Sequence, residues 1–414
     1  MRVLFLSNFY PPANRGGYAQ WCQEVAEGLR NQGHEVLVLT SDHGYVEKQI
    51  HDPAWIRRKL KLEMDMISLR NSLLFFTRRK SREKENLIRL QQILEEFMPN
   101  AVLIWGMWNL SLSLAALVEK LKPGLVAYYM GDYWPSLPNQ FVFYWQAPAR
   151  NWITGIPKLL LRPIALRILS GEERPVLHFE HVIFPTIFMR DELLRKGLSP
   201  KETKIILGAV DTNRYEYRKN ESNAQNTESL SLLFVGRLTP EKGVHTAIEA
   251  LSYLVHQRGY HQIKLIIVGG GEPDYEDYLH RLTRKEKVEH VVTFISAQPK
   301  EVMPALYHQA DIFLFTSIWP EPFGRVLIEA MASGLVVVGA TSGGAVEILV
   351  ENENALLFSP GDSIGLAMQL VRLIESPSLR RKLREAGRET AIAKFDIQRM
   401  TTEIEAYLQK IVTG

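Results

Sequence analysis

The chain has 414 residues, of which 46% are hydrophobic, so it is long enough for two domains that each bury a core. Its formal net charge of +3 is small for this length and gives no argument for a nucleic-acid partner. A single cysteine, Cys22, excludes an internal disulfide framework and a cysteine metal cluster, and it predicts a reducing, cytosolic compartment.

The chain opens with a strand, a loop, a helix and a second strand. The apolar strand at 2–7 is too short for a signal peptide, and the turn-rich loop NFYPPANRGG follows it. A helical pattern at 18–32 and a buried strand at 35–40 complete a βαβ unit, which indicates a parallel sheet. Gly16 and Gly17 would let backbone amides approach a ligand at the start of the helix, although an ordinary turn explains them equally well.

Residues 51–90 interrupt this alternation of strands and helices. They are basic and contain an apolar cluster at 73–76. Two interpretations stay open: a solvated helical insertion, which is favoured for 81–96, or a face that docks an acceptor or an anionic membrane surface.

Residues 97–118 carry no formal charge and are long enough for a membrane-spanning helix. Proline, asparagine, glycine and serine residues interrupt the stretch, however. We therefore predict a buried strand at 101–105, a glycine turn and a helix from about Leu110, and no membrane span.

A further strand at 125–129 is followed by Gly131 and Asp132, and a carboxylate at the carboxyl end of a parallel strand is well placed for a ligand cleft. Residues 137–170 are aromatic and apolar, with scattered arginines and a lysine. Their prolines argue against a regular core element. The segment is either an exposed interaction or membrane-contacting surface, centred on 137–167, or a loop folded onto the core.

A strand at 181–185, a helix at 186–196 and a strand at 204–207 end the first half, and the polar residues 211–229 are typical of a linker. The second half then restarts the alternation. Its predicted elements are strands at 231–235, 264–268, 291–295, 312–315 and 335–338, and helices beginning at Val244 and Gly324 and lying at 363–375, 377–393 and 398–412.

Arg237 and Lys242 flank the loop that follows the first strand of the second half. Their spacing allows both cations to reach one diphosphate, the arginine as a bidentate donor and the lysine as a point charge. Two solvated surface cations are the alternative, since most arginines and lysines are exposed. The strand–loop–helix context favours the diphosphate site.

The stretch DIFLFTSIWPEPFGRVLIEAMASG, which begins at Asp311, places two carboxylates around a turn. Glu321 lies on the loop and Glu329 about two turns into the following helix. The amides of Phe323, Gly324 and Arg325 would point outward at the helix N-terminus, where anions bind. Glu329 can accept hydrogen bonds from ribose hydroxyls and Glu321 from those of a hexose, although neither carboxylate is specific alone.

Together these motifs resemble retaining glycosyltransferases of family four, members of the group 1 glycosyl transferases, which adopt the GT-B fold. The resemblance spans residues 2–362. It is carried by NFYPPANRGG, GHEVLVLT, VGRLTPEKG, EPFGRVLIEAMASG with the family's E-x7-E spacing, SGGAVEIL and ALLFSPGD.

The resemblance implies transfer of a sugar, with retention, from a nucleotide diphosphate sugar to a hydroxyl of a glycan, lipid or other glycoconjugate. UDP is favoured over GDP only by default. Neither a metal nor a further cofactor is expected, because cations and helix dipoles neutralise the leaving diphosphate. The resemblance implies that Arg237 and Lys242 bind the diphosphate, Glu329 the ribose and Glu321 the donor sugar. The amides of Phe323, Gly324 and Arg325 would contact the sugar or the phosphate. Gly16 and Gly17 would close on the phosphate, and the base would lie near Ile295.

The implied architecture is α/β, with two Rossmann-like domains whose parallel sheets face each other across a cleft. We expect an N-terminal acceptor domain at 1–210 with insertions at 51–90 and 137–170, and a C-terminal donor domain at 211–395. A last helix at 396–414 would cross back to the N-terminal domain. A cytoplasmic location, with the inner face of the membrane as a candidate site, follows from the same interpretation.

One position departs from the family pattern. A histidine usually precedes the Asp–aromatic–Trp–Pro run, and this chain has Gly131 there. Asp132 then either orients an acceptor hydroxyl or is structural. Two alternatives to the transferase therefore stay open: a catalytically silent nucleotide-sugar-binding or scaffold protein, and a nucleotide-sugar epimerase of the same fold, which the E-x7-E block disfavours.

Overall fold

The computed structural model describes residues 1–12, 16–44, 52–65, 71–148, 152–215 and 230–414. These residues form two compact α/β units. Unit 1 comprises Met1–Pro185, Arg190–Ile206 and Thr401–Gly414, and unit 2 comprises Thr186–Met189 and Leu207–Met400. Most of the predicted linker at 211–229 lies outside the described residues.

Unit 1 is built on a parallel seven-stranded sheet with the order β3-β2-β1-β4-β5-β6-β7. Its strands are β1 (Arg2–Ser7), β2 (Glu35–Ser41), β3 (Ile56–Leu60), β4 (Ala101–Ile104), β5 (Val126–Tyr129), β6 (His181–Phe184) and β7 (Glu202–Ile205). The helices between these strands are α1 (Gly17–Asn31), α2 (Asn71–Thr77), α3 (Arg79–Phe97), α4 (Ser113–Leu121), α5 (Gln140–Gln146), α6 (Trp152–Ser170) and α7 (Ile187–Arg195). The central strands β1, β4 and β5 are buried almost throughout, which is why they are continuous apolar runs in the sequence.

Unit 2 is built on a parallel six-stranded sheet with the order β10-β9-β8-β11-β12-β13. Its strands are β8 (Ser231–Val235), β9 (Lys264–Val268), β10 (Val292–Ile295), β11 (Ile312–Phe315), β12 (Val336–Ala340) and β13 (Ala355–Phe358). The remaining helices are α8 (Val244–His256), α9 (Pro273–Lys285), α10 (Met303–Tyr307), α11 (Arg325–Ala332), α12 (Ser363–Glu375), α13 (Pro377–Lys394) and α14 (Ile397–Thr413). From Thr401 onward α14 belongs to unit 1, where Glu405 pairs with His34 at 2.7 Å.

The prediction of two parallel-sheet α/β domains is confirmed, as is the helix predicted at 81–96. Strand β3 was not predicted, because its sequence, IRRKL, has three cations and no apolar run. It pairs with β2 at the edge of the sheet, where the exposed Arg57 and Lys59 discourage further pairing, while Arg58 turns inward and pairs with Asp52 at 2.6 Å. The strand predicted at 204–207 lies two residues earlier, at Glu202–Ile205.

The expectation that 137–170 contains no regular core element is wrong. Helices α5 and α6 occupy most of it, and Phe141 and Trp145 are fully buried against Phe75 of α2. Helix α6 adds the buried Ala165 to the same cluster, with Leu161 and Leu169 packed against it, and this packing outweighs the cost of the prolines within the helix. Lys158 also faces inward, where its ammonium donates to the Ala147 carbonyl at 2.7 Å and burial lowers its pKa. Among the described residues, no helix is long and apolar enough to cross a membrane.

Candidate functional site

The loops after β8 and β11 lie side by side at the carboxyl edge of the unit 2 sheet. Strands β8 and β11 are neighbours in the sheet, and the strand order runs in opposite directions from them. Open α/β sheets bind ligands at such a switch point. Hydrogen bonds join the loops: the amides of Ile318 and Trp319 donate to the Glu241 carbonyl at 2.9 and 3.1 Å. The Thr316 hydroxyl donates to the Lys242 carbonyl at 2.8 Å. The two loops therefore hold their side chains at one place.

Gly243 makes this close approach possible. Its φ is +65°, and a Cβ there would lie 2.1 Å from the carbonyl oxygen of Thr316. A larger residue would both strain the backbone and separate the loops. The glycine after Lys242 thus fixes where the lysine side chain begins.

Lys242 and Glu321 form an ion pair at the centre of the site, with 2.7 Å between the ammonium and a carboxylate oxygen. Their side chains are 20% and 14% exposed, so both are sheltered and both can still be reached by a ligand. Arg237, at the start of the same loop, is exposed and makes no ion pair with any described residue. The structure thus brings Lys242 and Glu321 together. Arg237, five residues before Lys242, has no carboxylate partner among the described residues.

Glu329 is buried, 8% exposed, on α11. Its carboxylate accepts from the Arg325 guanidinium at 3.0 Å and from the Tyr307 hydroxyl at 2.9 Å. Burial, and then the neighbouring Glu329 charge, raise the pKa of Tyr307 well above its ordinary value, so this hydroxyl stays a donor. A carboxylate has about four acceptor positions, so Glu329 can accept further hydrogen bonds. Tyr307 was not predicted, because nothing in its local sequence links it to residue 329.

A glycine loop after β12 holds the backbone beneath Glu321. The Gly344 amide donates to the Glu321 carbonyl at 2.7 Å. A Cβ on Gly343 would lie 2.3 Å from that carbonyl, and one on Gly344 would lie 2.4 Å from the Pro322 carbonyl. Gly343 and Gly344 thus fix the backbone of Glu321, whereas in the sequence they stand out only as part of the family pattern.

The predicted anion-binding turn begins α11. Gly324 has a φ of +101° and precedes the first helical residue, Arg325, while Phe323 is buried and packs edge-on against Phe395. Ile295 ends β10, and its carbonyl accepts the Gly269 amide at 2.9 Å. Contact of these residues with phosphate and base stays a prediction.

Unit 1 carries the other predicted residues. Gly16 and Gly17 are exposed at the start of α1, and Gly16 has an extended backbone that other residues adopt as easily. Asp132 follows β5, where its carboxylate accepts the Trp134 amide at 3.1 Å. Burial raises the pKa of Asp132 to about 6, so it can change protonation state near neutral pH.

The side chain of Tyr18 packs against Gly131. A Cβ at position 131 would lie 2.5 Å from two atoms of the Tyr18 ring, so the ring occupies the space that a side chain would need. The Tyr18 hydroxyl donates to the Tyr129 carbonyl, and its ring lies 5.7 Å from that of Trp105. Tyr18 was not predicted as part of the site, since only the fold brings it to residue 131.

No group of three or more histidine, cysteine, aspartate or glutamate side chains in the described part of the chain is arranged to hold a metal ion. Acidic and basic side chains of the two joined loops of unit 2 instead pair with one another. This arrangement can bind an anionic group through Arg237 and Lys242 and hydroxyl groups through Glu321 and Glu329.

Comparison with protein families divides the chain into two matched regions. The model for glycosyltransferase family 4 matches residues 15–214, and the model for glycosyl transferases group 1 matches residues 216–390. A glycogen synthase of Mycobacterium tuberculosis is 24% identical over 424 residues, which cover 97% of this chain and 93% of that protein. A lipopolysaccharide core biosynthesis glycosyltransferase of Rhizobium meliloti, LpsE, is 32% identical over 213 residues, covering 51% of this chain and 58% of that protein.

The same similarity is seen in three dimensions. The crystal structure of Anabaena Alr3699/HepE in complex with UDP-glucose superposes with a TM-score of 0.67 at 22% sequence identity. The superposition covers 99% of this chain and 100% of the Anabaena chain. The fold is therefore shared along the whole length of the chain.

Proposed function

Because the chain belongs to the group 1 glycosyl transferases, with a family 4 N-terminal half and the GT-B fold, we propose that it is a retaining, metal-independent enzyme that transfers a sugar from a nucleotide diphosphate sugar to a hydroxyl group. The observation that carries the proposal is the 2.7 Å pair of Lys242 and Glu321 at the unit 2 switch point. A cation for phosphate and a carboxylate for sugar hydroxyls are thereby held side by side.

In the proposed reaction the bond between the anomeric carbon and the leaving phosphate oxygen breaks. The acceptor oxygen forms the new bond on the same face of the sugar, and its proton passes to the leaving phosphate oxygen. Arg237 and Lys242 neutralise the charge that develops on the nucleoside diphosphate, and the α11 N-terminus adds its dipole. Glu321 orients the donor sugar, Glu329 the ribose and Asp132 the acceptor hydroxyl.

UDP is the nucleotide that we propose, with GDP as the alternative. Support comes from the Anabaena protein of the same fold, which was crystallised with UDP-glucose. The acceptor proposed is a glycan, a lipid or another glycoconjugate, and the LpsE protein, named for lipopolysaccharide core biosynthesis, is consistent with that class.

The function is tested by incubating the protein with UDP- and GDP-sugars and measuring nucleotide release. Lys242→Met and Glu321→Gln should each lower the rate by about 10²–10³-fold, since each removes a group that acts on the reacting centre. Lys285→Met, a change at an exposed lysine of α9 in the same unit, is the matched control and should leave the rate unchanged. Release that is indifferent to both site variants would contradict the proposal.

A silent nucleotide-sugar-binding protein of the same fold is the second candidate. Gly131 favours it, because a glycine has no side chain to offer the donor sugar. Tight binding of UDP-sugars with no nucleotide release, whatever acceptor is added, would select this alternative.

The proposal includes peripheral contact with the inner face of a membrane through 137–167. Helix α6 exposes an apolar row in which each residue is four positions from the next: Ile156, Leu160, Ile164 and Ile168, which are 60%, 70%, 54% and 40% exposed. Exposed Arg162 and Arg167 lie on the same helix, so an anionic lipid surface is complementary to it in both charge and polarity. The exposed face is mainly aliphatic, and not aromatic as the sequence led us to expect. A cytoplasmic location is supported by the lone cysteine, Cys22, which is buried.

A further inference from the structure

A cavity of about 330 Å³ lies wholly within unit 1, where β4 and β5 end. Strand order in this sheet reverses between β1 and β4, so the loop after β4 lies at the switch point of unit 1. The cavity is lined by this loop, by residues 134–142, and by parts of α3 and the segment that follows α6. Its volume is at the lower end of the range for small-ligand sites, about 300–1,000 Å³.

Two buried N–H groups on the cavity wall lack hydrogen-bond partners among the described residues. One is the indole N–H of Trp134, a side chain only 3% exposed, and the other is the Nε of Arg79, which is 6% exposed. A buried donor without a partner costs about 1–3 kcal/mol, so such groups are normally satisfied by water or a ligand. Both groups are donors, so oxygen acceptors on a ligand would satisfy them.

Charged groups of the wall are engaged by protein partners, among them Arg174, which donates to the Pro135 and Leu137 carbonyls at 3.0 Å. Arg79 donates to Glu172 at 2.7 Å, and Lys80 lies 3.1 Å from the same carboxylate. Glu83 accepts the hydroxyls of two neighbouring serines, Ser111 and Ser113, at 2.6 and 2.7 Å. A phosphate or a free cation would have to compete with these contacts, so an uncharged ligand fits the wall better.

Glu63 adds a group that can both donate and accept. The Asn139 amide donates to its carboxyl oxygens at 3.0 and 3.2 Å. Burial raises the pKa of Glu63 to about 7, so the carboxyl exists partly as the neutral acid near neutral pH. The ring of Trp108, also on the wall, supplies an apolar surface. Hydroxyls with an apolar ring face are the chemistry of a sugar.

We propose that this cavity binds the acceptor as an uncharged sugar ring, with hydroxyl groups bonded to Glu63, Asn139 and the Trp134 indole N–H. The inference rests on the proposed function, because it names the acceptor of that reaction. Asp132 accepts the backbone amide of Trp134 at 3.1 Å, so the residue proposed to orient the acceptor hydroxyl is fixed to the cavity wall. A lipid tail or a phosphorylated sugar is not what these groups recognise.

The test measures, by ligand-observed NMR, whether methyl α-D-glucoside, methyl α-D-mannoside and methyl β-D-galactoside bind to the full chain in the absence of a donor. At least one glycoside should bind. Trp134→Phe, which removes the N–H and keeps a ring, and Glu63→Gln should each weaken binding by about five-fold, the effect of one hydrogen bond. Trp145→Phe is the matched control: Trp145 is equally buried and its indole N–H also lacks a partner among the described residues, but it does not line the cavity.

Absence of binding by all three glycosides would overturn the proposal, and so would binding that both cavity variants leave unchanged. Nucleotide release from UDP-glucose, measured on the same samples, distinguishes failure of the cavity proposal from failure of the proposed transferase activity. Release without glycoside binding removes the cavity proposal alone. Glycoside binding that depends on Trp134, without any release, keeps the sugar cavity and removes the transferase.

Discussion

Lys242 and Glu321 hold opposite charges 2.7 Å apart where a diphosphate and a sugar are proposed to bind. A bound diphosphate would compete with Glu321 for the lysine, and would thereby release the carboxylate to accept sugar hydroxyls. Glu329 does not depend on the ligand in this way, because Arg325 and Tyr307 already orient it. The two carboxylates of the E-x7-E block thus differ in what holds them before a donor arrives.

The ring of Tyr18 occupies the space that a side chain at Gly131 would need. We expect Gly131→Ala to lower the free energy of unfolding by about 1–3 kcal/mol, the usual cost of overpacking, because the new Cβ would overlap the Tyr18 ring. Chemical denaturation measures the change. The hydroxyl bond to the Tyr129 carbonyl keeps the ring from moving aside, so Tyr18→Phe should reduce the cost of Gly131→Ala in a double mutant.

Gly171→Ala is the control for this pair, since its Cβ would meet only ordinary contacts at 3.6 Å and beyond. It should leave stability nearly unchanged. If Gly131→Ala proved as stable as the Gly171 variant, the ring of Tyr18 would not be fixed in place, and the account of why this chain carries a glycine there would fail.

At the scale of secondary-structure elements, the proposed donor site consists of three loops that approach one another closely at glycines. Gly243 brings the loop after β8 against the loop after β11, and Gly343 and Gly344 bring the loop after β12 beneath Glu321. Each contact is between main-chain atoms, and a side chain at any of these positions would separate the loops. The positions of the charged groups are therefore set by the backbone.

Helix α6 leads to a prediction about membranes. Leu160→Glu with Ile164→Glu should reduce co-sedimentation with anionic phospholipid vesicles by about tenfold or more, because each leucine or isoleucine buried in the interface contributes about 1.5–3 kcal/mol. Ile364→Glu is the matched control: this residue of α12 in unit 2 is 49% exposed, and its substitution should leave co-sedimentation unchanged. Failure of the unaltered protein to co-sediment at low salt would rule out the contact.

At the scale of the whole molecule, each unit has a parallel sheet with its own switch point, and the proposed donor and acceptor groups are divided between them. The donor groups are all in unit 2. The cavity, Asp132 and the exposed face of α6 are all in unit 1. Binding of the two substrates can therefore be measured separately in the full chain.

UDP should stabilise the folded chain through unit 2. At a concentration of about 100 times its Kd, a ligand adds about 2.7 kcal/mol, which corresponds to about 5–10 °C for a unit of this size. Scanning calorimetry measures the shift, and Lys242→Met should abolish most of it while Lys285→Met retains it. A shift produced by GDP and not by UDP would transfer the donor assignment to GDP, and no shift with either would contradict nucleotide binding.

Much of the site could be predicted because its residues are close in sequence to recognisable strands. Lys242 and Glu321 each follow a buried apolar run, and parallel strands place their carboxyl ends at one edge. Tyr307, Tyr18, Glu63 and Trp134 could not be grouped in the same way. The hydrogen-bond partners of Tyr307, Tyr18 and Glu63 are 22 or more residues away in sequence, and no periodic pattern relates them. Trp134 follows Asp132 closely, but the other walls of its cavity come from α3 and from the segment after α6.

The sequence by itself determined the two parallel-sheet units, since strands buried on both faces must be apolar throughout and helices must repeat their apolar face. The helix predicted at 363–375 is observed with those bounds. Only the tertiary structure decided that the cationic strand β3 joins the sheet, that α6 forms despite its prolines, and that a cavity of about 330 Å³ lies against Trp134. Each of these depends on contacts between segments distant in the chain, and their energies are not encoded in any local pattern.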